Sequence, residues 1–148
     1  MTQTTTKTLY DSDFAFWIED TVNKLKVGDY YHVDWENLIE EIESLGRSER
    51  RELENRLTTL FEHALKRYYI PLSDCYHGWE NTLKRTQKDL KKLLRDSPSL
   101  GNFFLEILHD CYEDAVDNLK DEYEINFPTL YPFPEEIETL LNDKFWEK

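Results

Sequence analysis

At 148 residues the chain has the length of one domain, and a domain of that size buries roughly 68–70% of the surface its unfolded chain would expose. Thirty-one acidic residues against eighteen basic ones give a formal charge of −13, so phosphate backbones are repelled overall and nucleic acid is disfavoured as a partner. A basic protein surface, a metal or a polyamine is not disfavoured, whereas a membrane is, because no apolar run approaches the ~18 residues that cross one.

Hydrophobic residues at 39% and aromatic ones at 14% suffice for a core without staples. Cys75 and Cys111 are too few and too far apart for a metal knuckle or a redox pair, and the start carries no secretory leader pattern; a reducing cytoplasm fits both.

In chain order, Met1 to Lys7 is polar and Thr-rich, and residues 1–8 read as a disordered tail ahead of a single helical domain over 9–148. Helical periodicity then recurs from Asp11 to Trp146, with no run of strand alternation. The first helix is expected from about Ser12 to Lys26, with Phe14, Ile18, Val22 and Leu25 on its buried stripe, Trp17 at the border and Gly28 as its stop. Asp34 can cap a second helix, with Val33 and Leu38 as a hydrophobic staple and Trp35, Leu38, Ile39, Ile42 and Leu45 as its buried side. Gly46 with Ser48 behind it predicts a break or kink.

A third helix is expected from about Glu49 to Tyr69, carrying Leu53, Leu57, Leu60, Phe61, Ala64, Leu65 and Tyr68, and Pro71 ends it. The fourth, about Tyr76 to Arg95, carries Trp79, Leu83, Leu90, Leu93 and Leu94. Ser97 and Pro98 supply a cap and a first helical residue for the fifth, which runs to about Tyr123 with Cys111 on its apolar stripe. Phe127 to Phe133 is too rich in Pro for a helix and too apolar for a free linker, which predicts an extended strap. A last short helix opens at Pro134, with Phe145 and Trp146 pinning the terminus. Short connections between amphipathic helices favour antiparallel neighbours, so the expected fold is all-α: an up-and-down bundle of about four long helices with a short N-terminal and a short C-terminal helix added.

The stretch Asp34 to Leu57, DWENLIEEIESLGRSERRELENRL, resembles the signature of the bacterial family catalogued as domain of unknown function 29. LYDSDFAFW at Leu9 to Trp17, RDSPSL at Arg95 to Leu100 and LLNDKFW at Leu140 to Trp146 extend the likeness over nearly the whole chain, with a departure in the strap. The resemblance implies a compact helical protein. It brings no activity, cofactor or catalytic residue with it.

Glu106-Ile-Leu-His109 has the Glu-x-x-His spacing that bundles use for dimetal sites. At about 100° per residue, however, both side chains fall opposite the core stripe of the fifth helix, so no metal ligand is assigned. Asp74-Cys-Tyr-His77 and Asp29-Tyr-Tyr-His32 share the spacing but stand at or before helix starts. Cys75 beside His77 lacks a second base or an oxyanion hole, and His63 sits on a helix flank where histidine is usually structural. No catalytic residue and no cofactor are assigned.

Glu36, Glu40 and Glu43, at i, i+4 and i+7, form an acidic stripe with Arg47 one turn beyond. The stripe is either an internal network with Arg47, Arg50 and Arg51 or a binding site. With His63 it could line an inter-helix acidic pocket for a metal or cofactor, which is the enzyme alternative. The outer face of the fourth helix is basic through Lys84, Arg85, Lys88, Lys91, Lys92 and Arg95; that of the fifth is acidic through Asp110, Glu113, Asp114 and Asp117. Lys88, Lys91 and Arg95 of one copy could meet Asp110, Asp114 and Asp117 of another. The reading that follows is a non-enzymatic helical module that binds another protein or itself, as a possible homodimer.

Overall fold

Helical periodicity decides the architecture: among the described residues, 8–147 of the computed structural model, every regular element is helical and none is a strand. Of the tail expected over residues 1–8, residues 1–7 lie outside the described residues, and Thr8 stands at the start of the first helix. Six α-helices occur, four of them long, with a short 3-10 turn between the second and the third. They fall into two compact units, one ending at Gly46 and the other beginning at Arg47.

In the first unit, Thr8 accepts a hydrogen bond from the Asp11 amide and caps α1, Leu9–Ser12. Asp13 ends that turn and caps α2, Phe14–Val27, by accepting from the Phe16 amide at 3.1 Å. The expected first helix is therefore two, because an Asp outside the helical conformation satisfies the end of one and the start of the next. Gly28 stops α2 in the left-handed conformation, φ +79°. Its amide donates to Leu25 and that of Asp29 to Lys24, the pairing that closes a helix on glycine. After the 3-10 turn Tyr30–His32, Asp34 accepts from the Asn37 amide at 3.3 Å, and α3, Trp35–Tyr69, begins.

The expected break at Gly46 does not occur; α3 is one helix of 35 residues. Glycine weakens a helix by roughly 1 kcal/mol without removing its amide, and Glu43 and Arg47 stand i, i+4 across it in the favourable order. A Cβ at Gly46 would meet nothing within 4 Å. Gly46→Ala should therefore raise the unfolding free energy by about 0.5–1 kcal/mol; a drop in urea denaturation would show that the glycine has a role other than helix interior.

In the second unit the remainder of α3 is followed by α4, Ser73–Asp96, and α5, Leu100–Lys120. The connections, 70–72 and 97–99, are short enough to reverse the chain each time. Ser97 is not the cap of α5: its hydroxyl donates to Glu49 at 2.6 Å, and the helix starts two residues past Pro98. Leu53, Leu57, Leu60, Phe61, Ala64 and Leu65 on α3 are wholly buried, and face Leu83 and Leu90 of α4 and Phe104, Cys111, Ala115 and Leu119 of α5 in one cluster.

The strap is extended as expected, with Phe127 and Phe133 buried in that cluster. It runs further than expected, since Pro132 and Pro134 keep the backbone open until α6, Ile137–Asn142. Tyr112 donates to the Pro128 carbonyl and Tyr131 to that of Pro134, each at 2.5 Å. Trp146 is fully buried and closes the cluster, although its indole N–H has no acceptor. Burying so large a ring outweighs the roughly 1–3 kcal/mol that an orphaned donor costs.

Candidate functional site

The two apolar stripes of the first unit do not lie where their periodicity predicts. Phe14, Ile18 and Val22 on α2, with Ile39, Ile42 and Leu45 on α3, are 41% to 71% exposed. Trp35 is exposed as well, and Leu25 and Leu38 are half-buried. A helical pattern reports that one side is apolar; it does not report what covers it. The buried residues of this unit are instead Trp17, Thr21 and Val33.

Between the stripes lies a groove of about 330 Å³, lined by Phe14, Ile18, Val22 and Leu25 from α2 and by Leu38, Ile42 and Leu45 from α3, with Trp17 and Thr21 along the α2 side. Its one carboxylate, Glu41, accepts a short hydrogen bond from the Tyr10 hydroxyl. That bond, together with desolvation and the charge of Glu41, pushes the Tyr10 hydroxyl up to about 12, so Tyr10 remains a donor through the neutral range. The Tyr10 ring packs edge-on against Trp17 at 4.9 Å and Phe14 at 5.6 Å. The groove therefore has an anchored polar corner and otherwise apolar walls.

Glu36, Glu40, Glu43 and Arg47 are all exposed on α3, and none of Glu40, Glu43 and Arg47 is without a partner. His63 does not join them. It belongs to the second unit, half-buried with Nδ1 2.9 Å from the Thr59 carbonyl. Burial holds the His63 imidazole below its usual range, with the Thr59 carbonyl opposing and the Lys66 ammonium adding. A folded pKa below the unfolded value near 6.5 favours the fold above that pH, and the benefit is lost as pH falls from there through the folded value. His63→Gln should thus flatten the decline in stability between about pH 7 and pH 5, measured by urea titration at each pH; an unchanged slope would assign the decline to other groups.

Lys88, Lys91 and Arg95 on α4 and Asp110, Asp114 and Asp117 on α5 are exposed. The one acid on the α4 face, Asp89, is taken by Arg56 at 2.6 Å. Glu106 and His109 point to solvent, and His109 pairs with Glu135 at 3.5 Å. His32 is paired with Asp29 at 2.7 Å. Asp74 and His77 fall inside α4, which begins three residues earlier than expected. Cys75 is exposed; Cys111 is buried, and desolvation pushes its thiol up to about 11. Among the described residues no three His, Cys, Asp or Glu side chains are grouped to hold a metal ion, and no helix is long and apolar enough to cross a membrane.

The groove escaped the sequence reading because its walls carry the same residue types as a core. The signal that could have found it is arithmetic: from Thr8 to Gly46 two apolar stripes face each other with no third amphipathic helix in that stretch to cover them.

No curated protein and no solved structure matches the chain. The family described as "Domain of unknown function DUF29" matches residues 9–146, from the first turn of α1 to the buried tryptophan past α6. With nearly its whole length matched, the chain belongs to the DUF29 family.

Proposed function

We propose that this chain is a non-enzymatic helical module that binds another protein through the groove of its first unit. One observation carries the reading: five large apolar side chains of the groove, Phe14, Ile18, Val22, Ile42 and Leu45, stand 41% to 71% exposed on its two walls. Full burial of one such side chain is worth roughly 1.5–3 kcal/mol, so a protein that covers all five gains several kcal/mol from apolar area alone. Contiguous apolar surface of this kind marks interaction sites on monomeric proteins. The test is cross-linking of the tagged chain in its own cells, beside an Ile42→Glu, Leu45→Glu variant. Both residues are open to solvent, so the variant should fold. Cross-links from α2 or the start of α3 to a partner, lost in the variant, support the reading; the same partners in both would refute it.

A second surface favours self-association. The cations of α4 and the acids of α5 are open to solvent, and complementary fields of one chain can match between two copies. Attraction between exposed charges is screened beyond a Debye length of about 8 Å at physiological ionic strength and about 3 Å at 1 M. Sedimentation should therefore show any such dimer loosening with salt and failing in a Lys88→Glu, Lys91→Glu variant. A chain that stays monomeric at low salt removes this surface from consideration.

A further inference from the structure

Resting on the reading of the groove as a protein-binding site, we infer that its occupant is an amphipathic helix with basic flanks, contributed by a different protein. Shape is the first reason. The α2 wall presents Phe14, Ile18, Val22 and Leu25 at i, i+4, i+8 and i+11, and the α3 wall presents Leu38, Ile42 and Leu45 at i, i+4 and i+7. Ridges at these spacings on two helices accept the side chains of a third helix laid between them, which would complete a small bundle. The α2 wall extends over about three turns, or about 16 Å, the length over which a helix offers anchors at i, i+3 or i+4, and i+7.

Charge is the second reason, and it selects among helices. From Thr8 to Gly46 the chain carries ten carboxylates and two ammonium groups, Lys24 and Lys26. Lys24 is already paired with Asp20 at 2.8 Å. The first unit thus holds more than half of the net −13 in about a quarter of the chain. Glu19 follows Ile18 on the outer side of α2, and Glu36 is exposed on α3. A second copy seated in the groove would bring the same acidic surface against this one, and like charges across an interface oppose association. A helix with Lys or Arg beside its apolar stripe is drawn in by the field and then held by the apolar walls.

The probe is a fluorescein-labelled peptide of about 18 residues, five helical turns, with Leu at the i, i+3, i+4 and i+7 positions and Lys or Gln elsewhere. Its controls are a twin with Glu for Lys and a scramble of the same composition that has no stripe. Anisotropy titrations use the full chain, the Ile42→Glu, Leu45→Glu variant and a Glu19→Lys, Glu36→Lys variant, alongside sedimentation of the chain by itself. The expected result is binding of the Lys peptide alone, weakened about tenfold or more by the groove variant. The charge reversal, which acts through the field of the unit, should weaken the Lys peptide and improve the Glu twin, and added salt should weaken the native pair.

Equal binding of the Glu twin or of the scramble would overturn the inference while leaving a protein-binding groove in place. Absence of peptide binding together with a dimer abolished by Ile42→Glu, Leu45→Glu would make a second copy the occupant, and again only the inference falls. Absence of peptide binding in a chain that shows no groove-dependent association would bring down both the inference and the reading beneath it.

Discussion

Truncation of Phe61 to alanine should lower the unfolding free energy by about 3–5 kcal/mol, the range for a large aromatic lost from a packed core. Phe61 is wholly buried on α3 and is the hub of the second unit's aromatic cluster. Its ring stacks on Phe133 at 6.1 Å and meets the edges of Tyr131 at 5.5 Å and Tyr112 at 6.0 Å. Two of these partners belong to the strap, so the variant loses ring contacts on α5 and on the strap together as well as opening a void. Urea denaturation followed by circular dichroism measures the loss, with Glu106→Ala, exposed on α5, expected to stay within about 0.5 kcal/mol. A Phe61→Ala effect no larger than that of Glu106→Ala would mean that the cluster does not hold this unit together.

The second large effect belongs to Gln87. Its side-chain amide, buried on α4, donates to the carbonyls of Leu140 at 2.8 Å and Asp143 at 2.9 Å. These are carbonyls that the C-terminal end of α6 leaves without partners inside the helix. Gln87→Leu keeps most of the volume but removes both donors, at about 1–3 kcal/mol for each carbonyl left dry. Hydrogen exchange should rise in α6 and at Trp146 ahead of the rest of the second unit. Gln87→Glu should be harmful too, since a carboxylate facing two carbonyls offers no donor. Equal stability of wild type and Gln87→Leu would show that water replaces the amide.

The boundaries legible in the sequence are those set by residues with a hard steric or hydrogen-bonding rule. Pro71 and Gly28 fall where helices end, because one lacks an amide and the other accepts φ +79°. Gly46 misled because its cost of roughly 1 kcal/mol is a weak bias, easily overridden in a helix of 35 residues. Gln87 and Thr86, both buried on α4, are invisible to an apolar pattern; the partners of Gln87 are backbone carbonyls more than fifty residues away. The stripes Phe14, Ile18, Val22 and Ile39, Ile42, Leu45 were legible as stripes but not as a groove, since burial depends on a third surface that a periodicity does not contain.

The buried set of the first unit, Trp17, Thr21 and Val33, has a kinetic consequence. So small an interior supports little free energy against unfolding, so local opening of the segment from Thr8 to Gly46 should be far more frequent than global unfolding. In a cell, opened chain is what proteases cut, and the rate follows the open population when closing is fast. A ligand that binds the closed form reduces that population by mass action. If the groove takes a protein partner as proposed, the lifetime of the molecule would report how much of it is in complex, and a chain with the groove empty would be cleared sooner than one with it filled.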